Sequence, residues 1–123
     1  MFIEYDGVKY AILFNNCFEE FYPEYEEDIY FMLREVRDIF AGKKCAALLY
    51  YNADGFLKLL ASGFMKEKEV KGKKAEEVFR YIYMANTLAE RIKVNGGKAV
   101  FRFWKEDQNI EIEIPKEEKK NFS

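Results

Sequence analysis

The chain has 123 residues, half of them hydrophobic and 18% aromatic, enough for one domain with a real core and too apolar for disorder. Twenty basic residues against 22 acidic ones leave a net charge of -2, which gives no global pull toward nucleic acid or an anionic membrane. Histidine is absent and cysteine occurs twice, as Cys17 and Cys45, which excludes histidine-based catalysis, zinc or haem ligation and a disulfide framework.

The first stretch, MFIEYDGVKYAILF, residues 1 to 14, reads as a β-hairpin turning at Asp6-Gly7, because both turn residues accept a positive φ. It has no basic segment followed by an apolar one, so no signal peptide is expected. No apolar run approaches the length of a membrane span, and the expected location is the cytoplasm.

CFEEFYPEYEED, residues 17 to 28, holds six acids, four aromatics and no base. Pro23 suits the first position of a helix, and Glu24, Glu26, Glu27 and Asp28 suit its first turn, where they complement the positive end of the macrodipole. Phe18, Phe21, Tyr22 and Tyr25, with Glu24, exceed what a helix start needs, and form a candidate docking patch for a protein partner. A third possibility is Mg²⁺ or Mn²⁺ held by the carboxylates, including Glu19 and Glu20; it fits poorly, because the acids come from one local stretch.

A helix is expected from about residue 24 to 41, with Ile29, Met32, Leu33, Val36, Ile39 and Phe40 as its apolar stripe and Gly42 as its stop. A second hairpin, CAALLYYNADGFLKLLASGF, spans residues 45 to 64 and turns at Asp54-Gly55. KEKEVKGKK, residues 66 to 74, has five lysines against two glutamates and no evident face to bury, and reads as a solvated loop. A second helix is expected from about 74 to 93, with Ala75, Val78, Phe79, Ile82, Ala85, Ala89 and Ile92 inward and Asn95-Gly96-Gly97 as its end.

The third hairpin, KAVFRFWKEDQNIEIEI, runs from 98 to 114, its second strand alternating Ile110, Ile112 and Ile114 with Glu111 and Glu113. Residues 116 to 123 read as a charged tail. Phe101, Arg102, Phe103 and Trp104 in succession, with Tyr81 and Met84 of the second helix, are the candidate interface, since consecutive strand residues point to opposite faces. A nucleic-acid stacking platform is not expected there, because Glu111 and Glu113 flank it and repel phosphate.

The order ββαββαββ predicts an α+β two-layer sandwich: one mainly antiparallel sheet of about six strands with both helices on one face, a single domain over residues 1 to 115. Both cysteines sit among apolar residues and are expected as buried free thiols. Lysine and glutamate dominate the charges, and Gln108 is the only glutamine, a bias of heat-adapted proteins. There is no GxxxxGK[ST] or GxGxxG phosphate cradle, no nucleophile pair, and no cofactor is expected.

From about residue 28 to 115, "CAALLYYNADGFLKLLASG" and "GGKAVFRFWKEDQNIEIEIP" resemble the hairpins of the Roadblock (dynein light chain) family, in its order of helix, hairpin, helix, hairpin. The first hairpin and the lack of a final helix depart from that family. The resemblance implies a dimeric scaffold without an active site. Absent catalytic chemistry and surplus aromatics make the expected function a non-enzymatic interaction module, a homodimer. A small-molecule carrier with an apolar pocket between sheet and helices, and a carboxylate-dependent enzyme, are the alternatives.

Overall fold

A computed structural model describes residues 1–74, 78 and 86–116. It contains strands β1 (Phe2–Tyr5), β2 (Tyr10–Phe14) and β3 (Cys17–Phe21), helix α1 (Glu26–Phe40), strands β4 (Lys44–Ala53) and β5 (Phe56–Lys66), helix α2 (Asn86–Asn95), and strands β6 (Gly97–Arg102) and β7 (Ile110–Ile114). The fold is α+β, with the strands divided between two antiparallel sheets, one ordered β1-β2-β3 and the other β5-β4-β6-β7.

The single six-stranded sheet expected from the sequence is therefore corrected to two, and β4 supplies the reason. Cys45, Ala47 and Leu49 point to one face and Ala46 and Leu48 to the other, and all five are buried. A strand apolar on both sides needs a layer on each. On one face Ala46, Leu48 and Val100 pack with Ile12, Phe14, Cys17 and Phe21 of the small sheet and with Met32 and Ile39 of α1. On the other, Cys45, Ala47, Leu49, Ala99 and Phe101 pack with Ile92 of α2 and with Val78. The two helices thus contribute to cores on opposite faces of the four-stranded sheet.

Both Asp-Gly pairs lie in hairpin turns, but the first turn is a four-residue loop over residues 6 to 9 in which only Gly7 takes a positive φ. Asp6 Oδ1 accepts the backbone N–H groups of Val8 (2.9 Å) and Lys9 (2.8 Å), closing the first turn. Asp54 and Gly55 take φ values of 49° and 89°, the pair of left-handed residues that a two-residue hairpin requires. A third turn carries no glycine to announce it. Asn15 and Asn16 also have positive φ, 48° and 65°, and send the chain back as β3. Residues 17 to 21 are a strand, not the approach to a helix: Cys17 and Phe21 face the core and Phe18 faces out.

Pro23 is not at the first helical position. It lies in the turn closed by the Tyr25 N–H on the Tyr22 carbonyl (3.0 Å), where its fixed φ suits the second residue. Glu26, Glu27 and Asp28 do occupy the first turn of α1, and Asp28 Oδ2 accepts the Tyr22 N–H (3.0 Å). At the other end Gly42, at φ 75°, lets the Lys43 N–H reach the Asp38 carbonyl (2.8 Å), which stops the helix as expected. The stripe of α1 is corrected at three positions: Leu33 and Phe40 are exposed, and Glu35 is buried beside Met32 and Ile39.

The lysine-rich stretch is also corrected. Glu67–Glu69 form a 3-10 turn, and Val70 is fully buried against the α2-side core, so this segment is anchored. Most of the expected second helix before Asn86, with Tyr81 and Met84, lies outside the described residues, as does the tail at 117–123. Among the described residues no helix is long and apolar enough to cross a membrane.

Candidate interaction surface and a buried charge cluster

β6 ends at Arg102, one residue before Phe103, so strand alternation does not govern the loop beyond it. The Phe103 N–H donates to Asn109 Oδ1 (2.7 Å), which turns the chain and seats Phe103 in the core. Phe101, at 0% exposure, is in the same core. Neither is available to a partner. Arg102 is exposed, and Trp104 stands out of the loop at 44% exposure. Its ring meets Phe40 edge-on at 4.5 Å and Phe14 at 6.2 Å.

Phe14 connects Trp104 to the second candidate patch. It lines an open hollow of about 490 Å³ with Met1, Phe2, Leu13, Cys17 and Phe18, and with Asn15 and Asn16 at the turn. The register explains the hollow's wall. Phe2 pairs with Leu13 and Leu13 with Phe18, so the three form one row on the outer face of the small sheet. Phe2 is 73% exposed, Phe18 65% and Phe40 47%. One member of each expected patch, Trp104 and Phe18, thus borders Phe14. The other members lie apart: Phe21 is in the core, Tyr22 directs its hydroxyl to Glu20 (3.4 Å), and Glu24 and Tyr25 are exposed before α1. Sequence reasoning missed Phe2, Phe14 and Phe40 here; the alternation of residues 10 to 14 marks only Phe14, and marks it for the core face with Ile12.

A second apolar surface lies on β5, the outer strand of the larger sheet, where Phe56, Leu57 and Leu59 are exposed. This edge is blunted by Lys58 and Lys66 and by a register shift at Leu49/Tyr50, features that disfavour edge pairing.

Three elements bring charges together beneath the small sheet. Lys44 Nζ, at the start of β4, lies 2.6 Å from both carboxylate oxygens of Glu35 on α1. Glu19, on the inner face of β3, is the third member. Burial, then the charge of Glu35, push its carboxyl above the ordinary 4.5; Lys44 pulls it down, and a hydrogen bond with Glu35 raises it further. A carboxyl whose folded pKa is raised favours the protonated folded state. Its stabilising contribution is complete below the unfolded value and is lost as pH rises through the folded one. Replacing Glu19 with Gln, which keeps a donor for Glu35, should therefore raise the melting temperature at about pH 7 and change it little near pH 4. Thermal unfolding of both proteins at the two pH values checks this.

Cys17 and Cys45 are free and buried, and burial pushes both thiols up, Cys45 to about 12. Such thiols are poor nucleophiles. Among the described residues, no three His, Cys, Asp or Glu side chains are grouped to hold a metal ion.

Comparison with protein-family models, with curated proteins and with solved structures finds no match to this chain.

Proposed function

We propose that the chain is a non-enzymatic protein-interaction module that works as a homodimer, and that its seam is the aromatic surface around Phe14. The observation that carries the reading is the exposure of Trp104 and Phe40, which meet beside the buried Phe14 ring, and of Phe2 and Phe18, which line the hollow that Phe14 borders. Aromatic side chains exposed together are an aggregation liability unless a specific surface covers them. Trp is the residue type most enriched among interface anchors, and Phe40 already holds one edge of it in place. A second copy is the partner always at hand, and two-fold pairing is the commonest closed symmetry. The helix, hairpin, helix, hairpin order from Glu26 to Ile114 supports the scaffold that the Roadblock resemblance implies.

Trp104→Ala and Phe18→Asp each remove an exposed side chain and leave both cores intact. Loss of one anchor of about 2 kcal/mol weakens association roughly 30-fold. Light scattering at micromolar concentration should show both variants shifted toward monomer with unchanged circular dichroism. If both keep the mass of the parent protein, the seam is elsewhere.

A further inference from the structure

The end of the molecule where α1 stops and β4 starts carries a different feature, independent of the aromatic surface. A cleft of about 360 Å³ is lined by Asp38, Lys43, Lys44, Lys66, Glu67 and Lys68. In a chain of net negative charge this concentration of lysine runs against the composition.

The acids of the cleft are already engaged. Asp38 pairs with Arg37 (3.3 Å) and Glu67 with Lys71 (3.5 Å). Lys44 is held by Glu35 beneath it. Lys43, Lys66 and Lys68 are exposed and have no ion-pair partner among the described residues. Lys44 and Lys66 are also direct cross-strand partners on β4 and β5, a like-charge placement that costs stability unless something between them carries negative charge. Glu35 answers Lys44 and leaves Lys66 unanswered.

The walls are fixed in place. The Glu67 N–H donates to the Lys43 carbonyl (2.8 Å), which ties the end of β5 to the turn after α1, and the buried Val70 anchors the 3-10 turn that carries Lys68. The Arg37, Asp38 and Ile39 carbonyls at the end of α1 accept the N–H groups of residues 41 to 43, so these acceptors are satisfied. Three unanswered ammonium groups around a small, fixed hollow match a compact anion with charge on more than one phosphate. The carboxylates of an acidic peptide are spread along its backbone and fit so short a cleft less well.

From this we infer that the cleft is a binding site for a small ligand bearing a di- or polyphosphate, held by Lys43, Lys66 and Lys68. Lysine acts there as a point charge on phosphate oxygens. Inorganic pyrophosphate is the probe, titrated calorimetrically into the full chain at low ionic strength, beside inorganic phosphate and hexaglutamate. Saturable one-to-one binding of pyrophosphate is expected, tighter than that of phosphate or the peptide. The Lys43→Gln/Lys66→Gln/Lys68→Gln variant should weaken it at least about tenfold. Lys58→Gln, at the far end of β5, should leave it unchanged. No saturable binding overturns the inference. So does equal weakening by Lys58→Gln, which marks nonspecific charge attraction, and so does tighter binding of hexaglutamate, which assigns the cleft to an acidic protein partner.

Discussion

Phe101→Ala is expected to lower the unfolding free energy by about 3–5 kcal/mol, the range for a fully buried phenylalanine whose cavity the surroundings cannot fill. Phe101 lies mid-sheet on β6, paired with Ala47 on one side and Ile110 on the other. The side chain shares its core with Leu49, Met65 and Phe103. The strands around it are hydrogen-bonded on both flanks, so they cannot close inward to refill the space. Urea denaturation followed by circular dichroism measures the loss. Trp104→Ala, three residues on, should cost far less stability, because its ring is half out of the protein. A similar loss for both would place Trp104 in the core and remove it as an anchor.

Lys44→Ala should cost about 2–4 kcal/mol, somewhat below the usual penalty for breaking a buried pair, since the lysine retains some contact with water. The cause is the charge left behind. Glu35 keeps its place on the buried stripe of α1, facing Glu19 on β3, with no cation between them. The deficit should shrink as the pH falls and Glu19, whose carboxyl is already held above its ordinary value, takes a proton. Glu35→Leu/Lys44→Met, which removes both charges and keeps the volume, should recover most of the loss. Denaturation of Glu35→Leu, Lys44→Met and the double gives the coupling directly; strict additivity would mean that the pair does not act as one unit.

Local chemistry is the part of this fold most legible in the sequence. Asp54-Gly55 announces its turn because few residue pairs accept positive φ, and both residues take it; at Asp6-Gly7 only Gly7 does, within a four-residue loop. Asn15-Asn16 uses the same freedom without a glycine, so neither that turn nor β3 stands out. CAALLY looks like one strand of a one-sided sheet, although its unbroken apolar run, without alternation, already asks for two covered faces. Glu35 is findable: an acid three residues after Met32 and four before Ile39 sits on the buried arc and needs a cation. Which cation is not legible, since Lys44 reaches it only after the Gly42 turn reverses the chain. The aromatic surface is half legible. Trp104 and Phe18 stand out by type, but only the register and the loop after β6 set both beside Phe14 and withdraw Phe101 and Phe103 into the core.

Self-association through the aromatic surface is tested most directly by sedimentation equilibrium of the unaltered protein. Across roughly 1 to 100 µM, a span that covers the usual range of specific homodimers, the mass should fit twice the 14.7 kDa of one chain. A mass of one chain throughout that range would contradict it.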